Sequence, residues 1–181
     1  FEENEKEKAY KKLLDIIERD KCTINCGMIG LRNLFHVLLE NGNTDLALEM
    51  ITKKDAPSYQ DMIDRGGTAL FESLTPNGMQ ESQNHHFYGD IINLFITKIA
   101  GININPHMTD IYEVCIAPHI NTKMSFAEGC YKSDGNAIEV KWQKDKDKVK
   151  ISVNITGKYY GTLDFGGKIH QLKEGANSYE Y

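Results

Sequence analysis

Apolar residues at Ala9, Tyr10, Leu13, Leu14, Ile16 and Ile17 face a Lys/Glu surface, and this 3.6-residue period predicts an amphipathic helix over residues 6–19. After a break at 22–27, Ile29, Leu31, Leu34, Phe35, Val37, Leu38 and Leu39 give residues 28–40 apolar cover on most sides, as expected of a central helix. Asn41-Gly42 supplies a stop, and Asn43 or Thr44 a cap, for a third helix over 45–51. Ser58, behind the Asp55-Ala56-Pro57 turn, is placed to cap a short helix over 59–63 that ends at Gly66-Gly67. A polar loop over 75–82 leads to a further helix over 87–100, marked by Phe87, Ile91, Ile92, Leu94, Phe95 and Ile99.

Around residues 103–110 the period changes. The runs 111–116, 138–142, 149–155, 159–165 and 168–172 are short, β-branched or aromatic, and are separated by Asp134-Gly135-Asn136, Asp145 to Asp147, Gly157 and Gly166-Gly167. Val149, Ile151, Val153 and Ile155 alternate with Lys150, Ser152 and Asn154, the pattern of a strand with one wet face. The expected organisation is α+β: helices over 1–108, then a small antiparallel β-sandwich over 109–181, short for a free-standing domain and expected to lean on the helices.

Composition narrows the classes. In 181 residues, 40% are hydrophobic, enough for a packed core, and no run approaches the length of a membrane span, so no membrane partner is expected. A net charge of −5 argues against an electrostatic grip on nucleic acid. The basic run 141–150 is interleaved with Asp145 and Asp147 and reads as a solvated hairpin edge. The start has no signal-peptide pattern, and Phe1 in place of Met suggests a piece of a longer chain, whose other part would carry any targeting signal. Cys22, Cys26, Cys115 and Cys130 read as scattered buried thiols, which favours a reducing, cytoplasmic setting.

The chemistry concentrates between Gly66 and Gly101. Glu72 stands inside an apolar TALFESL run, where Leu70, Phe71 and Leu74 would restrain and partly desolvate it; the bland alternative is a helix-surface carboxylate. Asn84-His85-His86 heads the next predicted helix, with Asn84 as its cap and the two imidazoles about 100° apart, so that one faces the cleft. His85, His86 and Cys26 lack a fourth zinc ligand, and Gly66-Gly67 lacks the context of a phosphate loop, so neither metal nor cofactor is expected. Asp64 and Arg65 either line the same cleft or form a surface ion pair, while Trp142, Tyr159 and Tyr160 are read as packing residues of the sandwich.

The segments CGMIGLRNLFHVLLENGNTDLALEMI, APSYQDMIDRGGTALFESL and SQNHHFYGDIINLFITKIAGI, followed by IAPH and a β-rich tail, resemble the end of the catalytic domain of the α-L-rhamnosidases of glycoside hydrolase family 78. The resemblance implies the closing helices of an α/α toroid of six-hairpin type with a β-sandwich behind it. It also implies hydrolysis of terminal α-L-rhamnose with inversion. Inversion needs an acid and a base about 6.5–9.5 Å apart, with a water between them. By resemblance Glu72 is the general base, His85 binds the sugar, and Phe71 and Asn84 flank them in the substrate site. The family's general acid lies in an upstream segment that has no match here, so the resemblance implies half an active site, inactive alone. Phe71 replaces the family's Trp and Ser73-Leu74 its usual Arg-Trp, which puts sugar specificity in question. Two other readings stay open: a non-catalytic carbohydrate-binding module, and a decayed rhamnosidase-like protein. The expected partner is an L-rhamnose-containing glycoside, and an incomplete toroid would expose an apolar flank for self-association.

Overall fold

The computed structural model describes residues 2–75 and 82–181, and the chain divides into two compact units, Phe1–Asp90 and Ile91–Tyr181. The first is helical, with α1 Glu3–Arg19, α2 Met28–Glu40, α3 Thr44–Ile51 and α4 Tyr59–Asp64. The second opens with the end of α5, Asp90–Leu94, and carries eight strands.

In the helical unit α2 is the core, with Leu31, Leu34, Phe35, Leu38 and Leu39 buried. From α3, Ala47, Leu48, Met50 and Ile51 are buried as well, and each of the larger side chains contributes about 1.5–3 kcal/mol by leaving water. Of the α1 stripe Ile17 is buried, Tyr10, Leu13, Leu14 and Ile16 are half-buried and Ala9 is exposed, and a groove of about 580 Å³ lies along Tyr10, Leu13, Leu14 and Val37. Ser58 caps α4 as its position predicts: Oγ accepts the Asp61 N–H at 2.9 Å and donates to the Lys53 carbonyl at 2.5 Å. Among the described residues no helix is long and apolar enough to cross a membrane.

The strands are β1 Ile102–Ile104, β2 Glu113–Ile116, β3 Phe126–Ser133, β4 Asn136–Asp145, β5 Lys148–Thr156, β6 Tyr160–Phe165, β7 Lys168–Gln171 and β8 Gly175–Glu180. They form two four-stranded sheets, ordered β1-β2-β6-β7 and β3-β4-β5-β8. The β2–β6 pair runs parallel, which corrects the all-antiparallel expectation. These strands lie far apart in sequence, and the connection between them runs through β3, β4 and β5 of the other sheet, so no hairpin constrains their direction. Elsewhere the hairpin rules hold. Asp134-Gly135 and Gly166-Gly167 take positive φ at both loop positions, the geometry that matches strand twist in a two-residue turn.

Alternation sets the core. Ile138, Val140 and Trp142 of β4 and Ile151, Val153 and Ile155 of β5 are buried, while Lys141 and Lys148 stay in water and pair with Glu128 and Glu180. Trp142, fully buried, donates its indole N–H to the Ile99 carbonyl at 2.7 Å. That bond explains how the helix ends. After Leu94 the backbone widens into a π-helical turn, Phe95–Ile99, closed by Ala100 N–H to the Phe95 carbonyl at 2.8 Å. His119 N–H takes the Lys98 carbonyl at 2.8 Å, so the terminal acceptors are satisfied from the strand region instead of by another helical turn.

All four cysteines are free. Cys130 is exposed and the other three are partly buried, which corrects the expectation of four buried thiols. Cys130 lies at the outward register position opposite Glu139, on the wet face of β3.

Candidate active site

The segment carrying Glu72 is shaped by its neighbours. After α4 the chain doubles back, with Gly66 N–H on the Ile63 carbonyl at 2.8 Å and Gly67 N–H on the Met62 carbonyl at 2.9 Å. A Cβ at Gly67 would lie 2.6 Å from the Met62 carbonyl oxygen and 3.1 Å from the Phe71 ring, so only glycine lets the two approach. Phe71 and Leu74 are then buried on either side of Glu72. The Arg65 guanidinium sits 5.0 Å from the Phe71 ring centre and donates from Nε to Asp61 Oδ2 at 2.7 Å. Asp64 accepts from Gln60 instead, at 2.8 Å, so the Asp64–Arg65 pairing weighed from sequence is replaced by an i,i+4 bond one turn earlier.

A second segment runs beside the first. Glu72 N–H donates to the Ser82 carbonyl at 2.8 Å, His85 N–H to the Leu70 carbonyl at 2.7 Å, and Ser82 N–H to Glu72 Oε2 at 3.2 Å. These three bonds bring Glu72 Oε2 to 4.0 Å from His85 Nδ1, beyond a hydrogen bond but within reach of a shared small ligand. The Glu72 side chain is 47% exposed and that of His85 20%. Water therefore has access to the carboxylate, which is less desolvated than the surrounding apolar sequence predicts. His85 Nε2 is buried and has no hydrogen-bond partner among the described residues. A half-exposed carboxylate beside an under-satisfied imidazole can accept a proton from water and hydrogen-bond a hydroxyl-rich molecule.

Several sequence expectations change here. The helix begins at Asp90, not at residue 87, so Asn84 caps nothing; it is exposed, and its N–H donates to Ser82 Oγ at 3.3 Å. Without helical geometry the two imidazoles do not diverge: the His85 and His86 rings lie parallel, within 2°, their centres 5.6 Å apart. Phe87 packs edge-on to both, at 4.0 and 4.9 Å. Phe71 is 6% exposed, with Arg65 over its ring. Of the loop expected over 75–82, residues 76–81 lie outside the described residues. In the sheet unit Trp142 and Tyr159 are buried, and Tyr160 donates its hydroxyl to Asp110 at 2.8 Å. Among the described residues no group of three or more His, Cys, Asp or Glu side chains could hold a metal ion, and burial raises the Cys26 thiol above its ordinary range.

Four residues around the site were not singled out from sequence. Tyr59 donates its hydroxyl to the Tyr88 carbonyl at 3.0 Å and meets the Tyr88 ring nearly edge-on, at 88°. Burial, then the neighbouring Tyr88 and Asp90, pushes the Tyr59 phenol well above its ordinary pKa, so it remains a donor. His36 Nε2 lies 2.8 Å from Asp90 Oδ2. No local signal points to these contacts, because their partners are 29 and 54 residues apart.

Residues 1–99 match the family model described as the bacterial alpha-L-rhamnosidase 6 hairpin glycosidase domain. The chain is 31% identical over 156 residues to an alpha-L-rhamnosidase of Alteromonas sp. (strain LOR), and 28% identical over 144 residues to one of Streptomyces avermitilis. These alignments cover 81% and 75% of this chain but only 17% and 14% of the relatives' length. Among solved structures, the fold is similar to a native alpha-L-rhamnosidase of Aspergillus terreus, with TM-score 0.84 and 19% identity over 96% of this chain and 21% of that one. It is also similar to the Streptomyces avermitilis alpha-L-rhamnosidase complexed with L-rhamnose, with TM-score 0.82 and 19% identity over 94% of this chain and 19% of that one. The helices, the two sheets and a family model spanning more than half of the sequence agree, and the chain belongs to the bacterial α-L-rhamnosidase six-hairpin glycosidase family.

Proposed function

We propose that this chain supplies the general-base half of the active site of an inverting glycosidase that removes terminal α-L-rhamnose from glycosides. The observation that carries the reading is the 4.0 Å approach of Glu72 to His85, held by three backbone-centred hydrogen bonds, in a chain of this family. Glu72 draws a proton from the attacking water, and its exposure leaves room for that water. His85 binds a sugar hydroxyl through Nδ1, the ring nitrogen that faces Glu72. Phe71, with Arg65 over it, and Leu74 fix the Glu72 backbone, and Phe71 bounds the sugar site from below. Asn84, exposed beside His85, offers its amide to the substrate. The partner acid comes from chain outside these 181 residues. In this reading residues 1–108 belong to an α/α toroid and residues 109–181 form a β-sandwich.

The test is stereochemical. The complete gene product, given an aryl α-L-rhamnoside, is expected to release β-L-rhamnose first, seen by proton NMR before mutarotation. First appearance of the α-anomer would remove the inverting mechanism. Binding of L-rhamnose without release of the aryl group would favour the carbohydrate-binding reading.

A further inference from the structure

The position of His85 depends on the short turn that follows it. Gly89 N–H donates to the His86 carbonyl at 2.8 Å, while the exposed His86 and Phe87 pack their rings on His85 and on each other. Those ring contacts are all local to the segment and move with it, so the ends of the turn decide where His85 points. At the leading end the His85 N–H bond to the Leu70 carbonyl fixes the backbone but not the ring. At the trailing end Tyr88 is buried and held by Tyr59, and the Asp90 carboxylate meets His36. His36 stands on α2 beside the buried Phe35, so this contact ties the turn to the helix that forms the core of the helical unit.

We propose that the His36–Asp90 contact is a positioning pair that holds the His85 imidazole against Glu72, with Tyr59 as its second tether. The inference rests on the reading of Glu72 and His85 as an active-site pair. Neither His36 nor Asp90 touches substrate. Both side chains are about three-quarters buried, at 22% and 26% exposed, so the hydrogen bond is shielded from competing water. An ionised carboxylate only accepts, so His36 Nε2 carries the hydrogen and the direction of the bond is set. Losing it leaves a part-buried carboxylate without that donor and frees the end of the turn.

The experiment uses the complete gene product with Asp90→Ala, Asp90→Asn, His36→Ala and the Asp90→Ala/His36→Ala double variant. Each alanine variant is expected to raise KM for an aryl α-L-rhamnoside about tenfold with a smaller change in kcat, the size of effect of one charge-assisted hydrogen bond. The double variant should be no worse than the singles, because both remove the same contact. Asp90→Asn should recover most of the loss, since its amide oxygen still accepts from His36. In parallel, the His85 ring carbon–proton signal, assigned by its disappearance in His85→Gln, is expected to shift in both alanine variants while the Trp142 indole signal stays in place. An unchanged His85 signal with unchanged KM in a folded Asp90→Ala protein would overturn the proposal. So would a fall in melting temperature with KM intact, which marks a purely structural pair. If the parent protein turns over no rhamnoside but the His85 signal still shifts, the positioning role stands and the hydrolase reading fails.

Discussion

The two units are held together in different ways. In the sheet unit, order is repetitive: Ile138, Val140 and Trp142 alternate with polar neighbours on one strand, Ile151, Val153 and Ile155 on the next, and the ladder between them is continuous from Ala137↔Thr156 to Asp145↔Lys148. No single contact decides the shape there. In the helical unit the packed part is α2 with α3, and the segments around Glu72 and His85 rest on individual contacts: Ser58 on Asp61, Arg65 on Asp61, Tyr59 on Tyr88, and His36 on Asp90. Mutation should therefore cost mainly stability in the sheet unit and mainly geometry around Glu72.

The largest test of that contrast is Trp142→Ala. It empties a fully buried site and leaves the Ile99 carbonyl without its donor. A loss of about 3–5 kcal/mol is expected in denaturant melts. A loss under about 1 kcal/mol would mean that the π-helical turn and the sheet do not share one core. Next is Ser58→Ala, which strips the α4 cap and the bond to the Lys53 carbonyl. The expected cost is about 1–2 kcal/mol, with turnover falling further than stability because α4 leads directly into the Glu72 segment. Equal losses in both would blur the distinction between the units. The smallest effect belongs to Lys141→Ala on the wet face of β4, where both partners of the Glu128 pair are more than half exposed. Its cost should stay within about 1 kcal/mol, and a larger one would show that the sheet's outer face does more than meet water.

What could be read from the sequence follows the same divide. The bounds of α2 and the Ser58 cap came from periodicity and capping chemistry, which are local signals. Strands β3 and β8 are not legible: FAEGCYKS and GANSYE carry no β-branched residue, and pairing with β4 and β5 makes them strands. The parallel β2–β6 pair was equally hidden, since period-2 alternation says nothing of strand direction. The helix expected from residue 87 starts at Asp90 because residues 86–89 close a separate turn, stabilised by Tyr59 from elsewhere in the chain. Glu72 and His85 were picked out by residue type and by resemblance. Their supports His36, Tyr59, Tyr88 and Asp90 needed coordinates, because no sequence spacing announces a contact across 54 residues.

The central claim is that the Glu72 carboxylate activates water. Glu72→Gln, made in the complete gene product and assayed for release of the aryl group from an aryl α-L-rhamnoside, tests it most directly. The account predicts a fall in kcat of about 10²–10⁴-fold with little change in melting temperature, because the amide keeps the shape and loses only the base. Turnover within a few-fold of the parent, in a protein that folds and binds substrate, would contradict it.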